Sequence, residues 1–163
     1  MLDNRKSIID VDLQLVNCTS AASSDFAGKV DGVAKVIDTG NGTTKGIMFI
    51  DVNSITGSGQ ATNNQKITIA LEGSTTSTFT AWVRLAKLEL APCHATTVHG
   101  RTGGDHSATL TTTTALGIFK VPFVNDFHGT VYRWLRAYVT FNGSSNAAVQ
   151  IHSIDFDAWL SKL

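Results

Sequence analysis

Charge is scarce in this chain. Asp, Glu, Lys and Arg make up 16% of its 163 residues, against about a quarter in ordinary soluble domains. The 13 basic and 13 acidic side chains also cancel. A neutral chain has no bulk attraction for nucleic acid or an anionic membrane, so neither is expected as a partner. Weak colloidal repulsion, in turn, eases self-association and docking. Long apolar runs are missing as well, and none approaches the ~20 residues of a membrane-spanning helix. The opening Met1-Leu2-Asp3-Asn4-Arg5-Lys6 leads into an alternating stretch rather than an apolar signal region, so export is not expected. Cysteine is limited to Cys18 and Cys93. Without export, two free thiols are expected rather than a bridge. The Asn-x-Ser/Thr triplets at Asn17, Asn41 and Asn142 then mark only Asn and Thr near turns.

Thr, Ser, Asn and Gly take the place of charge. That mix suits short strands joined by polar turns and disfavours helices. One domain spanning residues 1–163 is expected, long enough to bury a core without a metal or disulfide staple.

Period two dominates. Ile9, Val11, Leu13 and Leu15 alternate with Asp10, Asp12 and Gln14, the pattern of a strand with one dry face. Residues 20–32 read as a loop. Residues 34–38 form a short strand candidate closed by the turn Thr39-Gly40-Asn41-Gly42. Residues 46–53 are apolar on both faces, which predicts a central, buried strand. A polar loop over 54–65 precedes the alternating strand of Ile67, Ile69 and Leu71, then a turn over 73–78. Residues 79–90 carry good helix formers near their end but read as a strand from their Thr-rich entry. Residues 92–114 are long for a connection, with an edge strand expected over 107–113. Pro122 places the strand over 118–124 at an edge or a bulge. Residues 130–141 and 147–156 read as a β-hairpin, and 157–163 as a short terminal turn of helix. The sum is all-β: an antiparallel β-sandwich or jelly roll of two packed sheets.

Few residues suggest chemistry. Cys93, His94, His99 and His106 are zinc-ligand types, but their spacing fits no paired template, and loop histidines contacting solvent or an interface are the simpler reading. Gly100-Arg101-Thr102-Gly103-Gly104-Asp105 lacks the Gly-Lys-Ser/Thr ending of a phosphate loop. No Gly-x-Ser-x-Gly elbow occurs. Asp155 and Asp157 share a strand face and, with Asp10 and Asp12, offer oxygen ligands for calcium or hydrolytic carboxylates; a solvated face is the plainer reading. The chain is accordingly read as a non-enzyme with no cofactor and no metal.

The segment around residue 134 is richer. Tyr132, Trp134, Arg136 and Tyr138 fall on one face of a strand, with Arg133 on the other. Aromatic residues with Arg make the core of protein interfaces, and equally a platform for sugars or part of a core. Tyr132, Arg133, Trp134, Arg136, Tyr138, His99 and His106 are the interface candidates.

Several pieces, taken in order, carry a resemblance. They are Leu2-Asp3 before an alternating strand, Ile37-Asp38-Thr39-Gly40 before an apolar strand, Ile69-Ala70-Leu71-Glu72-Gly73-Ser74 leading to Phe79, and Arg133-Trp134-Leu135-Arg136-Ala137-Tyr138-Val139 before a Gly turn and a closing strand. In these the chain resembles the capsid cement (decoration) proteins of tailed bacteriophages, of the Bordetella-phage cement type. It is longer than that pattern, mainly in residues 92–116 and near the C-terminus. The resemblance implies a jelly-roll-like virion structural protein on the outer surface of the capsid, assembled in the host cytoplasm. Its expected partners are the major capsid protein and itself, as a dimer or trimer, with the N-terminal strand and the loops 54–65 and 92–116 reaching neighbours. The alternative is a carbohydrate-binding jelly-roll module that uses Trp134 or Trp82.

Overall fold

The alternation along the chain predicts strands, and strands are what forms. The computed structural model describes residues 13–17, 25–58, 66–92, 98–103, 109–111, 117–142 and 150–162. In chain order its strands are β1 (Gln14–Val16), β2 (Phe26–Ala27), β3 (Lys29–Val30), β4 (Val33–Ala34), β5 (Ile37–Asp38), β6 (Lys45–Ser58), β7 (Lys66–Ser74), β8 (Val83–Pro92), β9 (Val98–Gly103), β10 (Thr109–Thr111), β11 (Gly117–Val124), β12 (Asp126–Phe127), β13 (Thr130–Val131), β14 (Trp134–Asn142) and β15 (Gln150–Lys162). The protein is all-β, and every strand pairing is antiparallel.

Two sheets carry most of the chain. One runs β1-β15-β6-β11; the other runs β10-β9-β8-β7-β14-β2, with β5 also on β14. Alternate side chains explain the core that they share. Met48, Ile50 and Val52 of β6 and Phe156, Ala158 and Leu160 of β15 join Ile67, Ile69 and Leu71 of β7 and Leu135, Ala137 and Val139 of β14 in one hydrophobic cluster. Each fully buried Leu, Ile or Phe there contributes roughly 1.5–3 kcal/mol. The pairing is nested. The early β1 lies on the late β15, β2 on β14, β6 on β11, and β7 on β8.

The short turns are set by residues that accept positive φ. Asp31 (51°) and Gly32 (81°) join β3 to β4, and His128 (53°) and Gly129 (78°) join β12 to β13. Both are two-residue hairpin turns with positive φ at both positions, as in the type I′ turn. Asn125 pins the neighbouring segments together. Its side chain is fully buried; Nδ2 donates to Thr39 Oγ1, Gly42 O and Tyr132 O, and Oδ1 accepts from Thr44 N at 2.6 Å.

Several sequence expectations need correction. Residues 25–32 are not loop alone, because β2 and β3 form there. The 34–38 strand is two short pieces, β4 and β5, and β6 runs on to Ser58 into the expected 54–65 loop. The segments 130–141 and 147–156 do not form a hairpin: β14 lies between β7 and β2, and β15 lies between β1 and β6 in the other sheet. β15 also continues to Lys162, where a helical turn was expected. Alternation persists through Ala158, Trp159 and Leu160 and keeps that segment extended. The edge strand over 107–113 is present as β10, and β11 with Pro122 is the edge strand of its sheet. Residues 1–12, Cys18, 59–65 and 93–97 lie outside the described residues.

Candidate interaction surface

On β14, Leu135, Ala137 and Val139 point into the core, so Trp134, Arg136 and Tyr138 point outward, as expected from the alternation. Register sets them over β7: Trp134 lies opposite Ser74, Arg136 opposite Glu72, and Tyr138 opposite Ala70. Arg84 of β8 lies opposite Glu72 from the other side. The result is a row Arg84–Glu72–Arg136 across three strands.

Glu72 is completely buried. Its Oε2 accepts from Arg136 Nε at 2.9 Å and lies 2.8 Å from Arg136 Nη2. Its Oε1 and the Nε of Arg84 are buried without a hydrogen-bond partner. Burial raises the Glu72 pKa, and the hydrogen bond and charge of Arg136, then the charge of Arg84, oppose that rise. The Arg136 guanidinium also lies over two rings, 4.3 Å from the Phe79 centroid and 4.9 Å from that of Tyr138.

Phe79 reaches that position at a backbone cost. Its φ is +52°, a region that costs a bulky residue on the order of 1 kcal/mol or more. Ser74 holds the turn that contains it, accepting from Thr76 N at 3.1 Å and donating to Ala81 O at 2.7 Å. Phe79 therefore belongs to a turn folded over the sheet, and the strand expected over 79–90 begins only at Val83. No sequence pattern marks Phe79 as the cover for Arg136; an aromatic residue in a Ser/Thr-rich turn is the single trace of it.

Arg133 stands just ahead of β14 and has its own partner. Nε donates to Asp38 Oδ1 at 2.6 Å and Nη2 to Asp38 Oδ2 at 2.5 Å, while the guanidinium lies 5.0 Å from the Trp134 ring. The hydrogen bond from Arg133 and that from Gly40 N hold the Asp38 pKa down at about 2. Both arginines are thus fixed by a carboxylate and stacked on an aromatic ring.

Tyr132 does not join that row. It precedes the first residue of β14, so strand alternation does not extend to it, and its Cβ packs beside Gly73. His99 sits on β9 opposite Ala91. His106, Cys93 and His94 lie outside the described residues.

Another half-buried face is not predicted by the sequence pattern. On the four-stranded sheet, Trp159 of β15, Phe49 of β6 and Lys120 of β11 lie side by side, with Gln14 of β1 beyond Trp159. The Trp159 and Phe49 rings stack at 5.5 Å and 4°. Lys120 Nζ lies 5.6 Å from the Phe49 ring. The signal was present in residues 46–53. Apolar residues on both faces predict burial on both, yet Met48 and Ile50 are buried while Ile47 and Phe49 are only partly covered. On its second face β6 is half-buried at Ile47, Phe49 and Asp51.

Among the described residues, no three of His, Cys, Asp and Glu come together as a metal-binding group. No family model, curated protein or solved structure matches the chain.

Proposed function

We propose that the chain is a structural docking protein of the tailed-phage capsid cement type: a jelly roll that attaches as a small homo-oligomer to the outside of the major capsid protein lattice and stabilises the head. It acts by binding, with no catalytic step. The nested pairing supports the jelly roll, because first-with-last and inner-with-inner strand pairs across two sheets are what an antiparallel ribbon makes when rolled up.

The observation that carries the docking role is the outer row of β14. Trp, Tyr and Arg are the residue types that dominate interface energetics. Here Arg133 and Arg136 are held by Asp38 and Glu72 and stacked on Trp134 and Tyr138 before any partner arrives. Side chains already ordered lose less entropy on binding, about 0.5–1.5 kcal/mol less for each. Repetition on a symmetric shell then multiplies modest single contacts into firm attachment.

Co-sedimentation with undecorated phage heads tests this. Strong binding to heads and weak binding to free major capsid protein are expected, with Trp134→Ala lowering head binding at least tenfold. Equal binding to heads and free subunits would refute the cementing role. Trp82, 46% exposed, gives the saccharide reading its own readout: glycan binding lost in Trp82→Ala would replace the capsid assignment with a carbohydrate-binding module.

A further inference from the structure

We propose that Asn41 is a site of spontaneous deamidation, in which the backbone nitrogen of Gly42 closes on the Asn41 side chain while Arg133 holds the carbonyl oxygen. The chemistry does not depend on the docking role.

Such a closure needs a side-chain amide whose carbon the next backbone nitrogen can reach. Glycine in that next position removes the Cβ that would obstruct the approach and leaves the backbone free to turn into it. Asn41-Gly42 supplies the pair, exposed in the turn between β5 and β6. Nothing lies within 4 Å of where a Gly42 Cβ would stand, so that side of the turn is open.

The hydrogen bond to Asn41 is on the atom that helps. Arg133 Nη1 donates to Asn41 Oδ1 at 3.4 Å, and the guanidinium is itself fixed by Asp38. A donor there draws electron density from Cγ and meets the negative charge that gathers on Oδ1 as the nitrogen adds. A contact that is long before reaction tightens as that charge grows. Asn17, Asn53 and Asn125 are held the opposite way. Each donates through Nδ2, the leaving group, to Asp31, Asp157 and Thr39 respectively.

The Gly42 N–H gives its proton to water or hydroxide, and the nitrogen bonds to Asn41 Cγ. The Cγ–Nδ2 bond breaks, and Nδ2 takes up a proton and leaves as ammonia. Water then opens the resulting cyclic imide. Cleavage at Cγ leaves Asp; cleavage at the backbone carbonyl leaves isoaspartate, with the main chain running through the side-chain carbon. Nothing is oxidised or reduced, and water is the sole co-reactant. Either product puts a second carboxylate beside the guanidinium that Asp38 already holds and gives the neutral chain one net negative charge. Isoaspartate also adds a methylene to the main chain between two anchors. One is Thr39, whose N and Oγ1 donate to Arg133 O; the other is Gly42, whose carbonyl accepts from the buried Asn125. Ageing therefore adds charge beside Trp134 and loosens the Asn125 junction.

Purified protein incubated at mildly alkaline pH, then digested with trypsin and sequenced by electron-transfer mass spectrometry, reads the site in the peptide of residues 36–45, where Asn41 is the only Asn. Circular dichroism reports whether each variant is folded. Asp and isoaspartate are both expected at Asn41, ahead of any change at Asn17, Asn53 or Asn125, and at a rate within tenfold of that in a synthetic peptide of the same ten residues. Isoaspartate marks the cyclic route, since direct hydrolysis of the amide gives Asp alone. Gly42→Ala, which the open turn accommodates, is expected to slow conversion about tenfold. Arg133→Gln is expected to slow it at least threefold in the folded protein. Folded wild type that keeps Asn41 intact while the peptide converts overturns the inference, as does Asp without isoaspartate. A rate unchanged or raised by Arg133→Gln overturns the part assigned to Arg133.

Discussion

Replacing Arg136 by Met isolates the Arg84–Glu72–Arg136 row. The substitution keeps a long aliphatic side chain over Phe79 and Tyr138 but removes the hydrogen bond from Nε and the ion-pair contact from Nη2 to Glu72 Oε2. Since Oε1 already has no hydrogen-bond partner, a fully buried carboxylate is then left with none. Removing one partner of a buried pair costs about 3–5 kcal/mol. Two features favour the low end here: Arg84 still lies opposite, and Glu72 can escape by taking a proton. A loss of ~3 kcal/mol at pH 7, or about 6–12 °C in Tm for a chain of this length, is the expectation. The deficit should shrink as pH falls toward 4, because protonation removes the orphaned charge. The wild type shares the sign. A carboxyl whose folded pKa is raised stabilises most below its unfolded pKa, and that contribution is lost as pH rises through the folded pKa. The double variant Arg136→Met/Glu72→Met removes the orphaned carboxylate and should recover part of the loss, the remainder reflecting Arg84, which loses the carboxylate opposite it. Urea unfolding followed by circular dichroism at pH 4 and pH 7 measures all three proteins. A cost below ~1 kcal/mol at pH 7, or one unchanged between the two pH values, would refute the account of the buried row.

Three further outcomes are expected. Asp38, held down at about 2 by Arg133 and Gly40, contributes stability that is present above its ordinary value near 3.8 and fades as pH falls through about 2. A carbon-detected NMR titration of its carboxyl should show that low midpoint, and Arg133→Gln should move it up. Asn125→Ala strands Thr44 N and the carbonyls of Gly42 and Tyr132, so a loss of ~3 kcal/mol is expected by chemical denaturation. At Gly46, a Cβ would press on the Ser161 carbonyl and come within 2.8 Å of the Phe123 ring. Gly46→Ala should therefore cost about 1–3 kcal/mol through strain between β6 and β15, seen as a lower urea midpoint at unchanged slope.

Alternation made much of the fold legible. Ile67, Ile69 and Leu71 gave β7, and Pro122 correctly put β11 at an edge. Partner choice was not legible. Strands adjacent in sequence, β14 and β15, have the composition of a hairpin, yet each pairs across the molecule, because the loop between them says nothing about which sheet receives β15. The outward row Trp134, Arg136 and Tyr138 followed from period two alone. Tyr132 falls outside the row because β14 begins at Trp134, four residues after the expected start at residue 130. Asp31-Gly32 is a hairpin-turn pair set inside an otherwise irregular stretch of sequence. The Phe49–Trp159 face was not legible, because a strand can be central in its sheet and still bury one face more than the other, as Met48 and Ile50 against Ile47 and Phe49 do here.

The long β6 carries a consequence for synthesis. It binds β15 along nearly its whole length, but some ninety residues separate the two in the chain. At roughly 5–20 residues per second the ribosome leaves Met48, Ile50 and Val52 without that neighbour for about 5–20 s. Such distant pairing also folds slowly once the chain is complete. Expression at lower temperature, or alongside a holding chaperone, shields that waiting surface from the same surface on other nascent chains, and yield of soluble protein should respond to it more than to codon choice or induction strength.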